Sequence, residues 1–561
     1  MSTLIVPGVR VEARFDVLPP LPAPSGILGA VGIVDRPPAG TIGVTKPSEI
    51  RDLIGPGTQV TMPEVIHALA NGASEAIISP VLGGSPASVE LNNNDDTPQA
   101  ALILRCRSNG SWGNDLRVQV TSIDDSEGNP VRVNIRLFID GQEVESFNDL
   151  RDAPGASDDV FEAINRNSRY VVAVDPGFES SLPSAGTVLF PTAEPVDVTT
   201  DTADVIFQLL LATGVAPEGL SVEIGVDGTS GEISMDVFQG GLQESLTGMV
   251  LNPDDDNYLP YVLETQSTYI RARSQPFREN SLPAATTVLA PFVGGDSPNV
   301  DAYRTAIELL ADDPRIDLVL ASIEPGRETS DVIEIHQALL AHCVTMADNG
   351  APRIAFGTVT AENAGNLDAI RDHSAAVRNR RFVLIAPPGA AGVVAGTIGR
   401  LRPHFSPTFK NVPMQGIAPS SYRESQLNRL LGSTTNLLVV QQRAGRGVIV
   451  LRGLDTTGDQ ISVTRVADQA IRETKAISEN FIGRLNTDEA RVALRQQIVA
   501  TFTRMERENA LVPSTDGSDP AFLVDVYSTQ QDFAQGIVRI DIAVRPVRAI
   551  DYIYASIRVK N

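Results

Sequence analysis

Alternation of apolar and polar positions opens the chain. Val9, Val11, Ala13 and Phe15 fall on one side of an extended segment, and Arg10, Glu12, Arg14 and Asp16 fall on the other, which is the period of a half-buried strand. Leu18-Pro-Pro-Leu-Pro-Ala-Pro-Ser-Gly follows. Prolines at that density forbid helix and favour a semi-rigid extended linker. A strand set apart from the body by such a spacer has no local partner and must pair with something distant. The same alternation returns near the other end. Val538, Ile540, Ile542 and Val544 alternate with Arg539, Asp541, Ala543 and Arg545, Pro546 interrupts, and Ile553, Ala555, Ile557 and Val559 alternate with Tyr552, Tyr554, Ser556 and Arg558.

Between these ends the period changes several times. Gly26–Val34 is an apolar run, a helix is expected near 62–71, and Ala76-Ile-Ile-Ser-Pro-Val-Leu reads as a buried strand. Residues from about 100 to 275 read as β-rich, with alternating segments at 115–123 and 131–139 joined by Asp-Ser-Glu-Gly-Asn turn chemistry. Beyond 285, short apolar strands at 316–321, 353–359 and 381–387 alternate with helical patterns at 300–312, 330–348 and 363–379. That order predicts βαβ units and a parallel sheet. A hairpin is expected from 437–441 and 448–452 around Gly445-Arg446-Gly447. A long helix then carries Val463, Ala467, Ile471, Thr474, Ile477, Phe481 and Leu485 on one stripe. A second helix, over 487–510, is expected to be capped by Asn486, with Asp488 and Glu489 suiting the positive end of its dipole.

Length and charge refine this outline. At 561 residues the chain exceeds one ordinary core, so two to four domains are expected. No stretch reaches the roughly 18 to 20 apolar residues of a membrane span, so no direct membrane insertion is expected. The first residues lack the basic start and apolar segment of a secretory signal. Two cysteines, Cys106 and Cys343, cannot make a disulfide framework. The net charge of −24 is uneven: residues 170–270 hold 16 Asp and Glu with no Lys or Arg, whereas 371–561 hold 25 Lys and Arg against 17 Asp and Glu. The acidic middle suits a solvated, exposed domain, and the basic end suits an acidic partner. An acidic chain without a basic cluster argues against nucleic acid.

The chemistry-bearing residues do not converge on a reaction. Of the five histidines, His336 and His342 are six apart, which puts them about 120° from coincidence around a helix and unsuited to share a metal. There is no Gly-x-Ser-x-Gly elbow and no phosphate loop of the Walker type. Pro388-Gly-Ala-Ala-Gly-Val-Val-Ala-Gly-Thr-Ile-Gly follows a strand and opens a helix, the right place for a dinucleotide, but Gly389, Gly392, Gly396 and Gly399 have the wrong spacing. Small residues at these intervals are expected to permit close helix packing. Asp254-Asp-Asp256 has no glutamate at calcium-loop spacing and reads as a solvated turn. No catalytic residue, cofactor or metal is expected.

Several segments, in order, resemble contractile tail sheath proteins of phages and related injection systems. Val6-Pro-Gly-Val-Arg-Val-Glu resembles that family's N-terminal arm, and Gly29-Ala-Val-Gly-Ile-Val-Asp-Arg-Pro-Pro-Ala-Gly the segment after it. Asn109-Gly-Ser-Trp-Gly-Asn-Asp-Leu-Arg-Val is similar to the stretch that opens the family's inserted β domain. Asn411-Val-Pro-Met-Gln-Gly-Ile, Asn480-Phe-Ile-Gly-Arg-Leu-Asn and the closing Gly536-Ile-Val-Arg-Ile-Asp-Ile-Ala-Val-Arg-Pro-Val-Arg-Ala-Ile-Asp-Tyr-Ile also fit. The Tyr-Pro-Trp and Pro-Pro-Ser-Gly of many phage sheaths are represented here only by Ala386-Pro-Pro-Gly.

The resemblance implies a multidomain α/β protein: an α/β core with βαβ units, an inserted β-rich outer domain, and a C-terminal helix-plus-sheet domain completed by terminal strands of neighbouring subunits. On that plan 1–22 form an N-terminal strand arm and linker, and 23–99 and 276–430 form the core. Residues 100–275 are then the acidic outer domain, and 431–561 the C-terminal domain with its own strand arm. The implied partners are further copies in a helical sheath of stacked, hexameric rings, an inner tube protein, and baseplate and tail terminator proteins. Arg491 and Arg495, at i and i+4 on the 487–510 helix, are the implied tube contacts, although their stems could equally lie over the core. The implied setting is synthesis in a bacterial cytoplasm and action in a virion tail or injection particle. The rival readings are a cell-surface binding protein, for which an acidic β domain is reasonable, and a Rossmann-like enzyme, which lacks its fingerprint.

Overall fold

The computed structural model describes residues 25–552 except 127, 154–155, 179–180, 254 and 275–280. The expected strands at 9–16 and 553–559 lie outside the described residues. The core is an eight-stranded sheet in the order Ile42–Val44, Glu75–Pro80, Ile27–Gly32, Leu318–Ala321, Ile354–Thr358, Phe382–Ala386, Leu438–Arg443, Gly447–Val450. The inner six run parallel, and the two outermost pair antiparallel with their neighbours. The expected parallel sheet is therefore present, and the 437–452 hairpin forms its far edge.

Both faces of the sheet are covered, which is why its strands read as continuous apolar runs. Leu28 and Ala30 point to the helix Pro63–Asn71 and the helix Ala391–Arg400. Ile27 and Val31 point to the helices Val300–Leu309 and Thr329–Asp348. The glycine-rich segment packs as expected. A Cβ on Gly392 would lie 1.9 Å from the Glu64 carbonyl oxygen, and one on Gly396 would lie 2.3 Å from that of Ala68. Backbone meets backbone across this helix pair, so no room is left there for a phosphate.

Between Pro80 and Val300 the chain leaves the core and builds two β assemblies. One joins Ser88–Asn92, Ala100–Cys106 and Val171–Val174 to a sheet of Ala290–Pro291, Leu116–Asp124, Pro130–Ile139 and Gln142–Leu150, with the helix Val160–Asn167. The other joins Val196–Thr199, Val205–Leu211 and Ile270–Ser274 to a sheet of Gly186–Leu189, Leu220–Val226, Ile233–Gln239 and Leu242–Met249, with the helix Leu259–Gln266. The predicted hairpin at 115–139 is present. Trp112 sits in a short 3₁₀ turn, nearly buried, and its ring nitrogen donates to the Asn109 carbonyl at 3.1 Å.

Candidate assembly interface

The C-terminal part departs from expectation in its first helix, Ile461–Glu479. Of the seven stripe residues only Ile477 is buried; Ile471 is 39 % exposed, and Phe481 and Leu485 lie beyond the helix end. The buried face instead carries Arg465, Asp468 and Glu473. The cause is what the helix docks on. It crosses the N-terminal ends of the parallel strands, where carbonyls and Asp317 need polar partners. Arg381 grips Asp468 through both nitrogens at 3.0 and 3.1 Å. Arg472 donates to the carbonyls of Pro314 at 2.8 Å and Pro352 at 2.7 Å, and Arg465 donates to that of Leu401 at 3.0 Å. The Asp317 carboxylate accepts from the backbone of Gly26 and Ile27 at 3.0 and 2.8 Å. Burial raises the pKa of Asp317 and Asp468 and lowers that of Arg465, and the opposite charges around each group offset part of that cost.

The second helix is Asp488–Arg507. Its cap is Thr487, one residue later than expected, whose hydroxyl accepts from the Ala490 backbone at 3.2 Å. The Asn486 side chain instead accepts from Arg491. Leu494, Ile498, Phe502 and Met505 form the buried stripe of this helix. Against it lies a hairpin of Phe522–Tyr527 and Arg539–Val544, in antiparallel register from Phe522↔Val544 to Tyr527↔Arg539.

Among the described residues these two strands pair only with each other. Val538, Ile540, Ile542 and Val544 face the helix, as the alternation predicts, yet they are only half-buried. Two strands are too few to cover a helix face, and a lone hairpin is marginally stable in water. Both outer edges carry backbone groups of the kind that attract further strands. Arg495 reaches one of these edges, with Nε donating to the Val524 carbonyl at 3.0 Å. Arg491 is held by Asp488 and Asn486. Both candidate tube contacts therefore lie against their own domain here.

The polar groups at the other ends of the core strands are engaged with one another. Ser322 donates to Glu64 at 2.7 Å, Arg327 pairs with Glu324 at 2.9 Å, and Asn363 donates to Thr329 at 2.7 Å. Arg107 of the first β assembly enters this region, 3.9 Å from Asp35. His336 and His373 are buried with their ring nitrogens 2.9 Å apart, and His342 meets Arg353 at 2.6 Å. No group of three or more His, Cys, Asp or Glu among the described residues is placed to hold a metal ion. No described helix is long and apolar enough to cross a membrane.

Residues 455–560 match the family described as the phage tail sheath C-terminal domain, the part that holds both helices and the hairpin. That match covers the C-terminal domain alone and agrees there with the resemblance read in the sequence. No curated protein matches the chain. Among solved structures it is similar to a sheath tail protein of Desulfitobacterium hafniense, at 12 % identity and a TM-score of 0.45 over 96 % of this chain and 100 % of that one. A sheath tail protein of Listeria innocua gives 10 % identity and a TM-score of 0.45 over 94 % and 93 %. The helical sheath of the anti-feeding prophage in its contracted state gives 18 % and 0.36 over 47 % and 76 %.

Proposed function

We propose that this chain is a structural sheath subunit that polymerises helically around an inner tube and contracts to drive that tube through a target envelope. The observation that carries the reading is the half-buried hairpin of the C-terminal domain. Its open edges need strands, and the sequence holds two patterned segments, 9–16 and 553–559, of the right length and period. Supplied by neighbouring copies, these strands would bring main-chain hydrogen bonds and an apolar face to cover Ile540 and Ile542, which is strand addition. Each hydrogen bond adds only about 0.5–1.5 kcal/mol, but the contact repeats through a lattice. The proline-rich linker after Asp16 would let an arm stay docked while the bodies move.

On this reading contraction is a switch between two packings of rigid bodies, with no nucleotide consumed. The arm and linker take 1–22, the core 23–99 and 276–430, the outer β region 100–275 and the C-terminal domain 431–561. Strands Ser88–Asn92 and Ala290–Pro291 pair with strands of this outer region. The partners are further copies in stacked, hexameric rings, an inner tube protein, and baseplate and terminator proteins. Synthesis is cytoplasmic, and action is in a virion tail or injection particle. Arg491 and Arg495 would contact the tube after leaving their present partners.

The test is removal of residues 1–16 followed by negative-stain microscopy. The full chain forms tubes, and the truncated chain remains a folded monomer. Normal sheaths from the truncated chain would overturn the reading.

A further inference from the structure

Residues 88–292 contain one arrangement twice. Each β assembly has a three-stranded sheet whose middle strand comes second in the chain, a three-stranded meander, and one helix before the last strand. The agreement reaches single contacts. In the first assembly Glu145 accepts from the Ser168 hydroxyl at 2.6 Å and the Arg169 backbone at 2.9 Å. In the second Glu244 accepts from the Ser267 hydroxyl and the Thr268 backbone, both at 2.7 Å. Isolated parallel bridges join Arg151 to Asp159 and Val250 to Tyr258 in the same places.

The edge strands settle how the copies are joined. Gly186–Leu189 pairs with Leu220–Val226, and Ala290–Pro291 pairs with Leu116–Asp124. Phe190 donates its backbone N–H to Leu220 at 3.3 Å and is buried in the second core; Phe292 donates to Leu116 at 3.2 Å and is buried in the first. The two edge segments are also a direct repeat: Ser181–Pro191 and Ser281–Pro291 agree at eight of eleven positions, with the strand register of the second shifted by two residues so that Phe292 takes the place of Phe190. We infer that residues 181–280 are a complete second copy of one β module, inserted between the last strand of the first copy and the segment, 281–292, that closes it.

Divergence between the copies shows why the array stops at two. Ile103, Val172 and Val174 on the outward face of the first copy pack into the core of the second. The positions matching them in register are Gln208, Arg271 and Arg273. Arg273 is buried, pairs with Asp152 of the first copy at 2.8 Å and lies over that copy's Phe161, and Arg271 pairs with Glu264 at 2.9 Å, so this face is polar and is closed by the first copy without a third module. Residues 181–274 hold 14 Asp and Glu with these two arginines as their only Lys or Arg. The inserted copy is an accessory, acidic outer surface, and folding and assembly of the remaining chain do not require it.

The experiment excises 181–280, joining Ser180 to Ser281. A second variant adds Ile103→Gln, Val172→Arg and Val174→Arg, giving the bared face the side chains that the second copy carries. At least one variant is expected to unfold cooperatively with the emission maximum of Trp112, which reports on the first module, unchanged from the full chain. Aggregation of both, or a red shift of Trp112 in both, overturns the insertion. The accessory role rests on the assembly reading: full-length tubes beside a folded excision variant that makes none would refute that role alone. If the full chain makes no tubes, the assembly reading fails, and unfolding and Trp112 emission still decide the insertion.

Discussion

Gly396→Ala pits two effects of opposite sign against each other. Helix propensity favours Ala over Gly by about 1 kcal/mol, so a glycine-rich loop freed of contacts would be stabilised by the change. In the structure the added Cβ would sit 2.3 Å from the Ala68 carbonyl oxygen, and in Gly392→Ala 1.9 Å from that of Glu64, where real Cβ contacts stay above 3.0 Å. The obstacle is backbone and cannot rotate away, so the helices 391–400 and 63–71 must separate by roughly 1 Å. That strips contact from Val65, Val394 and Ile398, all buried in one cluster. Overpacking of this kind costs about 1–3 kcal/mol, and with backbone as the obstacle the upper end applies. After the propensity gain each variant should lose about 2 kcal/mol, and the double variant less than twice that, because one separation of the helices relieves both contacts. Urea titration followed by far-ultraviolet circular dichroism reads the loss as a lowered midpoint. Variants as stable as the parent would refute the close-packing account and reopen the glycines as a ligand loop.

Other outcomes follow from the same structure. Asp468→Ala leaves Arg381 and Arg465 short of a buried partner and should cost about 3–5 kcal/mol by urea unfolding; a loss below about 1 kcal/mol would show that solvent already screens the pair. Burial holds His373 and His342 down at about 4 and His336 well below its ordinary value, so all are neutral when folded. Stability from these groups is complete above about pH 6.5 and falls as pH drops toward 4, by about 1.4 kcal/mol per unit per histidine. A His336→Phe/His373→Phe variant should show a flatter curve than the parent across that window, and parallel curves would refute the assignment. Ile542→Asp places a charge on the half-buried face of the hairpin and should abolish tubes in negative stain while the core still folds; normal tubes would exclude that face from assembly. Reversing Arg491 and Arg495 to Glu should weaken co-sedimentation with tube protein and reduce its salt dependence, and no change would confine both residues to the contacts they make here.

The periods of the chain were enough for the parallel sheet, its covering helices and the 538–544 strand, because in each case one face of a regular element meets one apolar surface. The direct repeat at 181–191 and 281–291 was equally open to reading, yet it is short and its flanks have diverged, so its meaning needed the two sheets side by side. The helix 461–479 was legible as a helix, but its buried face was not. Its most apolar stripe is not its buried one, because the surface it lands on is a row of carbonyls and Asp317 from the segments that lead into strands 318–321 and 354–358 and from the end of the helix 391–400.

What the sequence determined by itself is therefore local and periodic: which described segments are strands or helices, and that the glycines at 392 and 396 serve packing. What only the tertiary structure decided is which faces meet. Burial of Arg465 and Asp468, the exposure of Ile471 and the closing of one β module by a segment far downstream all depend on surfaces brought together from distant parts of the chain. No local window contains the partner whose polarity sets the outcome.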